Sequence, residues 1–287
     1  MRLAVTAFLT VVLAWARPAA ALDPGRADGS LSVGQETIAL KIAYATHYPN
    51  EEGLADGPEL RILLADRKID VDLLGGPKAD AIERSARKGQ VRGILLRLDP
   101  EKLGKAPVRG TLLVQPPSPA DSLMHFTVTG DSGGFEALQV TKDRLQGKAQ
   151  FRSAGGDSTA FNYQSAFSAP LLVDRPTARL IGARAQESPP AKTVLSFERA
   201  LLDGDMATVS AHATSDRFAG LDADYTRVGP IVFLEQVRAQ LPDPAVRQRQ
   251  IREVVIHGRR AWVVMLNDDG SRTVATLAHS DGAWKLD

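Results

Sequence analysis

Three residues of this chain occur in an order that could support nucleophilic hydrolysis. Ser132 lies in the run Gly130-Asp131-Ser132-Gly133-Gly134, and both His47 and Asp70 precede it in the chain. A serine nucleophile needs a base to accept its proton, a carboxylate that orients the base, and backbone donors for the oxyanion. His47, Asp70 and Ser132 could supply the base, the carboxylate and the nucleophile, respectively.

The Gly-Asp-Ser-Gly-Gly run resembles the segment around the nucleophile of chymotrypsin-like proteases, but the rest of the sequence departs from that family. The three residues are separated by only 23 and 62 positions, and Phe135 stands where the family's motif continues with proline. The run also lies between two stretches that alternate in the manner of strands, and its residue types suit a tight turn. We therefore predict a hairpin turn between Thr129 and Phe135, and we assign no catalytic residue.

Other chemistry-bearing patterns are missing from the sequence. The five histidines show no pair at the three- or four-residue spacing that places two ligands on one helical face, and the chain contains no cysteine. The adjacent glycines Gly75 and Gly76 lack the spacing of a phosphate-binding loop. The sequence therefore predicts neither a metal site nor a cofactor.

The N-terminus has the features of a secretory signal peptide. Arg2 precedes an apolar run from Leu3 to Ala16, and Ala19-Ala20-Ala21 matches the pattern that signal peptidase cuts. The run is shorter than the roughly 20 residues that span a bilayer, so we expect cleavage and no permanent membrane anchor. A mature chain from about Leu22, soluble and located in the periplasm or secreted, is the prediction.

The charge balance bears on the choice of partner. The formal net charge is +1, and removal of Arg2 and Arg17 with the signal leaves −1. A nucleic-acid partner usually requires a clear basic excess, so we expect none.

A period of two dominates from about Gly29 to Leu172, within a predicted domain of residues 22–172. Ile38, Leu40 and Ile42 alternate with polar or small residues, and similar short runs recur between Gly-, Pro-, Asp- and Ser-rich segments. This pattern predicts an all-β antiparallel sandwich, with a single short helix between Pro77 and Gly89.

Residues 173–190 lack a sustained period, contain three prolines, and are predicted to be a linker. In residues 191–287 helical spacing comes first: a helix capped by Ser188, a second capped by Asp205, and a third that begins at Pro230. Four strands with hairpin turns follow, which predicts an α+β domain.

The C-terminal hundred residues resemble the nuclear-transport-factor-two-like superfamily, in which helices pack into a curved sheet and form a cone. The resemblance rests on "AKTVLSFERALLDGDMATVSAHAT" and "RTVATLAHSDGAWKLD". It implies a pocket inside the cone, in which an acid such as Tyr would share the cavity with a base such as Asp or His. The candidate pocket residues are Asp222, Asp224, Tyr225, His257, Trp262 and Trp284. A cavity filled by Phe197, Trp262 and Trp284 would favour a binding or structural role instead.

The first domain resembles uncharacterised β-sandwich domains of bacterial envelope proteins, through the strand Ile42-Ala43-Tyr44-Ala45 that runs into Thr46-His47. Together these features predict an exported, non-catalytic protein that binds a small ligand or an envelope partner. The alternative is an isomerase, dehydratase or hydrolase of small molecules that uses the C-terminal pocket. A third possibility is pairing of an exposed strand edge with another protein.

Overall fold

The chain folds around two antiparallel sheets, which a computed structural model describes for residues 22–103, 107–118, 121–129, 133–153 and 160–287. The predicted signal peptide, residues 1–21, and Ser132 lie outside the described residues. The first sheet and one helix form the N-terminal unit, and the second sheet and the remaining helices form the C-terminal unit.

The strands of the N-terminal unit are β1 (Arg26–Val33), β2 (Glu36–Tyr48), β3 (Glu59–Ala65), β4 (Gly93–Leu98), β5 (Val108–Leu113), β6 (His125–Val128), β7 (Gly133–Val140), β8 (Arg144–Arg152) and β9 (Phe161–Val173), and its helix is α1 (Asp80–Arg87). The C-terminal unit contains β10 (Ala178–Ile181), α2 (Ala183–Gln186), α3 (Pro189–Asp203), α4 (Met206–His212), α5 (Ser215–Val228), α6 (Pro230–Gln240), α7 (Pro244–Gln250), β11 (Ile251–His257), β12 (Arg260–Leu266), β13 (Arg272–Ser280) and β14 (Ala283–Leu286).

The N-terminal strands form one continuous sheet in the order β6-β5-β4-β3-β2-β1-β9-β8-β7. The antiparallel β architecture expected for this region is confirmed. The hydrogen bonds do not divide the strands into the two sheets of a sandwich, because β1 pairs with both β2 and β9 and so joins the two arms. Alternation in a sequence predicts strands, but it does not say which strands pair.

The sheet curls until its two arms face each other across an apolar core. The Phe126 ring of β6 lies 5.2 Å from Phe151 of β8 and 4.9 Å from Phe161 of β9, centroid to centroid. The predicted hairpin between Thr129 and Phe135 is therefore wrong, because β6 and β7, which flank it, are the opposite edges of the sheet and do not pair.

The convex face of the first sheet carries α1. Ile82 and Ala86 of the helix are buried against Leu63 of β3 and Leu95 of β4. The short helix predicted between Pro77 and Gly89 is thus confirmed, and Gly89 follows its last turn with a positive φ of 68°.

The C-terminal unit is α+β, as expected. Its sheet has the order β10-β11-β12-β13-β14, and the helices cover one face with a core that includes Val194, Phe197, Val254 and Val263. The other face carries Val255, Trp262 and Val264, which are also buried. Both faces of β11 and β12 are buried because the second face packs against the N-terminal unit.

The predicted start and end of the helical segment are confirmed. The Ser188 hydroxyl accepts a hydrogen bond from the Ala191 amide, the Asp205 carboxylate caps α4 in the same way, and Gly204 ends α3 with a φ of +75°. The segment 173–190, predicted to be irregular, instead contains β10 and α2. These elements have four residues each, which is too short for a period to show.

Besides α2, the helices α5 and α7 are not among the predicted elements. The segment 218–230, whose sequence pattern predicts no element, lies within α5 and the start of α6, and α7 follows Asp243. None of the α5 residues is fully buried, although Phe218, Leu221, Tyr225 and Val228 recur at helical spacing and pack against the core. Among the described residues, no helix has both the length and the apolar character that crossing a membrane requires.

Candidate functional site

The predicted C-terminal pocket residues do not converge on one cavity. Asp222 and Asp224 are exposed on α5, where Asp224 forms an ion pair with Arg227 at 2.8 Å. Tyr225 packs edge-on against Phe233, with ring centroids 5.3 Å apart. No hydrogen bond joins these three side chains to His257 in the described part of the chain.

The two tryptophans lie at different places. Trp284 is half-buried on β14 and contacts the His279 ring, with centroids 5.0 Å apart. Trp262 faces the N-terminal unit, and its ring lies 5.4 Å from that of His257. The core between the helices and the sheet contains Phe197, and Trp284 and Tyr225 pack against it, whereas Trp262 lies on the other face of the sheet. Among the described residues, the structure thus places His257 and Trp262 together at one place and Tyr225 and Trp284 at the helix–sheet core.

His257 lies at the boundary of the two units, with both ring nitrogens engaged by carboxylates. Its Nδ1 atom is 2.8 Å from Oδ1 of Asp174, and its Nε2 atom is 3.2 Å from Oε1 of Glu52. Tyr48 donates a hydrogen bond of 2.5 Å to the same Glu52 oxygen. His257, Glu52 and Tyr48 are buried, so the cluster is closed to a substrate.

The surroundings of His257 favour its charged form. Burial acts to lower the pKa of His257, but the hydrogen bond and charge of Asp174, together with those of Glu52, outweigh burial and raise the pKa above its usual value. For Tyr48, burial and the neighbouring Glu52 carboxylate both raise the pKa of the phenol. An imidazolium between two carboxylates, beside a neutral phenol, is a buried ion cluster.

Other contacts across the boundary surround this cluster. A Cβ atom at Gly76 would lie 2.1 Å from the Trp262 ring, so the loop before α1 approaches that ring as only a glycine can. Asp174 also accepts a hydrogen bond of 2.7 Å from the Gly76 amide. Arg260 of β12 contacts Asp80 of α1 at 3.2 Å.

A second arrangement of charged residues crosses the convex face of the first sheet. The strand register places Arg61 of β3 opposite Arg97 of β4, and Arg97 opposite Arg109 of β5. The row continues to Thr127 of β6 at the sheet edge. We call Arg61, Arg97 and Arg109 the arginine row.

Exposure rises along the arginine row from the inside outwards. The side chain of Arg61 is 0% exposed, that of Arg97 is 20% exposed, and that of Arg109 is 65% exposed. Arg61 binds Glu59 and the carbonyl oxygens of Leu74, Gly76 and Pro77. The row thus begins beside the buried cluster, where the Arg61 guanidinium lies 5.2 Å from the Tyr48 ring centroid, and ends at the surface.

At least five open pockets of about 360–540 Å³ among the described residues have the volume of a small-molecule site, and at least two of them carry cationic side chains beside hydroxyl groups. One, of about 540 Å³, lies between α3 and α4 and is lined by residues that include Lys192, Arg199 and His212. Another, of about 440 Å³, lies over the outer end of the arginine row. Both fall in the range of about 300–1,000 Å³ that is common for ligand sites.

Asp70 and His47, which the sequence offered as the carboxylate and the base of a serine hydrolase, have separate structural roles. Asp70 accepts a hydrogen bond of 3.1 Å from the Asp72 amide and so caps a short turn. The backbone carbonyl of His47 accepts a hydrogen bond from the Asp174 amide. In the described ranges no three His, Asp or Glu side chains are grouped so as to hold a metal ion.

Sequence reasoning missed Tyr48, Glu52, Asp174 and the arginine row. One usable signal was present, because Arg61 and Arg97 interrupt the apolar strands "ELRILLA" and "GILLRL". A charged residue inside a strand that is otherwise buried needs a partner, and it therefore marks an ion pair or a site.

Comparisons with known proteins identify no relative of this chain: no family model matches it, and neither a curated protein nor a solved structure matches it significantly.

Proposed function

We propose that this chain is an exported, non-catalytic, two-domain protein that binds a small ligand or an envelope partner. Export is supported by the signal-like N-terminal sequence and by the absence of cysteine, which leaves folding independent of an oxidising or reducing compartment. The mature protein would be periplasmic or secreted.

We further propose that residues 191–287 form a nuclear-transport-factor-two-like domain and that residues 22–172 are a sandwich-type envelope domain, with the connecting segment 173–190 contributing β10 and α2 to the C-terminal unit. The first assignment is supported by the order of helices α3 to α7 before a meander of strands, with the helices on one sheet face. The second is supported by the two arms of the curled sheet, which enclose one apolar core.

The observation that carries the non-catalytic role is the environment of His257. Of the candidate bases Asp222, Asp224 and His257, His257 is the one that contacts another candidate pocket residue, Trp262, in the described part of the chain. Both of its nitrogens are hydrogen-bonded to carboxylates, and its side chain is 3% exposed. A base must reach the proton that it removes, so this placement supports docking of the two units rather than proton transfer to a substrate.

The open pockets favour a small ligand over a protein partner as the first candidate. Each unit has more than one pocket of suitable volume among the described residues. The pockets of about 540 and 440 Å³ are lined by cationic side chains together with hydroxyl groups, and the larger of these two is also lined by Asp203 and Asp205.

Native mass spectrometry tests this proposal. Mature protein purified after export should carry a small molecule, seen as added mass that disappears on denaturation. In parallel, esters, hydroxyacyl compounds and ketosteroids can be assayed for turnover by the wild type and by His257→Gln. Turnover that is lost in the variant while its fold is retained would support the enzymatic alternative and contradict the proposal.

A further inference from the structure

We propose that the outer end of the arginine row binds the oxyanion group, phosphate or carboxylate, of a small ligand. The inference rests on the binding function proposed above, to which it assigns a site and a ligand class. The site comprises Arg97, Arg109, Thr111, His125 and Thr127, all of which line the pocket of about 440 Å³.

The first argument is the electrostatic repulsion within the arginine row. Like charges directly opposite on neighbouring strands destabilise a sheet, and here three arginines are opposite in succession. Two carboxylates neutralise them in part: Glu59 contacts both Arg61 and Arg109, and Glu83 contacts Arg97. Among the direct ion-pair partners of the row, three guanidinium groups face two carboxylates, which leaves one guanidinium charge without its own carboxylate; Asp56, Asp99 and Glu101 line the adjoining pocket but form no described ion pair with the row. A bound anion would balance that charge.

The second argument is the position of guanidinium nitrogens that donate no hydrogen bond within the protein. Arg61 is fully engaged, whereas Arg97 uses only one terminal nitrogen, which binds Glu83 at 2.7 Å and the Lys78 carbonyl at 3.2 Å. Arg109 makes a single hydrogen bond of 3.2 Å, to Glu59. In the part of the chain that the structure describes, the remaining nitrogens of Arg97 and Arg109 have no partner; of these, Nε of Arg97 is itself buried. The excess charge and the free donors therefore coincide at the outer end.

The third argument is the chemistry of the pocket wall. None of the described lining residues is acidic. Thr127 lies beside Arg109 in the strand register, and its hydroxyl is exposed. The buried Thr111 hydroxyl lies 3.1 Å from Nδ1 of His125 and 3.5 Å from Oε1 of Glu83, which leaves the Nε2 atom of the exposed His125 ring available. The acidic side chains Asp56, Asp99 and Glu101 line a neighbouring pocket of about 520 Å³, which Arg97 and Arg109 also line.

The fourth argument is preorganisation. Glu59 holds Arg109 and Glu83 holds Arg97, and the Glu59 and Glu83 side chains are themselves only 11% and 14% exposed. Carboxylates that fix guanidinium groups reduce the conformational entropy that a ligand would otherwise have to remove. Guanidinium groups form charge-assisted, often paired hydrogen bonds with phosphate and carboxylate, which matches the proposed ligand class.

Calorimetry with inorganic phosphate and with acetate tests the site on the full mature chain at low ionic strength. Arg109→Gln should weaken binding about 10-fold or more, the usual effect of losing a charge-assisted hydrogen bond. Thr127→Val should weaken it less. Arg152→Gln is the matched control, because Arg152 is exposed on β8 of the same sheet, away from this pocket. Equal binding by the wild type and Arg109→Gln would overturn the proposal.

Thermal unfolding provides a readout that misfolding cannot imitate. Without anion, Arg109→Gln should keep or raise the melting temperature, since it relieves repulsion with Arg97. Phosphate should raise the melting temperature of the wild type and of Arg152→Gln, but not that of Arg109→Gln. A variant that melts lower without anion would show that Arg109 has a structural role, and this would contradict the proposal.

Two further measurements are needed. The first distinguishes a membrane lipid from a free small molecule as the source of the anion, and the second distinguishes failure of this site from failure of the proposed function. Phosphatidylglycerol vesicles that bind the wild type but not Arg109→Gln, together with no binding of free phosphate, would assign the site to a membrane and overturn the small-ligand inference. A native ligand that mass spectrometry still finds on Arg109→Gln would overturn this site but leave the proposed function. The reverse result is phosphate binding that depends on Arg109 in a protein that carries no native ligand and turns over a substrate. It would overturn the proposed function but support this site.

Discussion

The imidazole of His257 lies 3.2 Å from the carboxylate of Glu52, and this contact joins the end of β11 in the C-terminal unit to the loop after β2 in the N-terminal unit. Asp174, on the other side of the ring, belongs to the segment that connects the units. The charge of one histidine therefore contributes to the docking of the two units. The other charged or titratable groups around this boundary include Tyr48, Arg61, Asp72, Asp80, Arg84, Glu253, Arg260 and Asp287.

The first prediction concerns pH. The pKa of His257 is raised above 6.5 in the folded protein, so its contribution to stability is complete below about pH 6.5 and is lost as the pH rises through the raised value. Urea unfolding from about pH 6 to about pH 9 should show a falling free energy of unfolding, and His257→Gln should flatten this decline. His279→Gln is the control, since His279 contacts Trp284 away from the boundary. An identical decline in His257→Gln would contradict the assignment.

The second prediction concerns Gly76, which combines a φ of +80° with close packing against Trp262. Gly270 has the same φ of +80°, but a Cβ atom there would have open space. Gly76→Ala should therefore cost about 1–3 kcal/mol more unfolding free energy than Gly270→Ala, the usual cost of overpacking. Chemical denaturation of the two variants measures this difference. Equal losses would mean that the loop moves away from the ring without cost.

The third prediction concerns Asp287, whose side chain contacts Arg84 of α1 and lies 3.2 Å from Arg260 of β12. Asp287→Asn removes the carboxylate that these two partly buried guanidinium groups share. A loss of about 1–3 kcal/mol in unfolding free energy is expected, together with faster proteolysis of the connecting segment. Asp281→Asn makes the same chemical change at an exposed position 3.8 Å from Lys285 and should have little effect.

The fourth prediction concerns the buried pair of Glu198 and Arg247 in the helical layer, which are 2.9 Å apart. Burial raises the pKa of Glu198, and Arg247 opposes this rise only in part. Arg247→Ala leaves an uncompensated buried carboxylate and should cost about 3–5 kcal/mol at neutral pH. The additional change Glu198→Leu should recover most of that loss, as measured by urea unfolding. No recovery would show that Arg247 acts through packing alone.

Most elements of the fold could be predicted from the sequence, because alternation, helix caps and turn residues are local signals. Ser188, Asp205 and Gly204 bound α3 and α4 as their residue types require. The pairing of strands is not local: the register that aligns Arg61, Arg97 and Arg109 joins residues 36 and 12 positions apart. For the same reason the sequence could not show that β6 and β7 are opposite edges.

The site was predicted less well, because docking of the two units buries a face that was assumed to enclose a pocket. His257 and Trp262 were selected for their chemistry, and their strands are apolar on both faces, as "REVVIH" and "AWVVML" show. Strands of that composition are typically covered on both sides. An interpretation of β11 and β12 as strands covered on both faces would have placed His257 at the boundary between the two units.

The position of Asp174 has a consequence for how the two units meet. Because this connecting residue is itself bound to both Gly76 and His257, the tether between the units is only a few residues long at the point of contact. A short tether keeps its two ends at an effective concentration on the order of millimolar. The interface can therefore be weak by the standards of separate chains and still remain formed, and the two halves made as separate polypeptides should fail to associate at micromolar concentration.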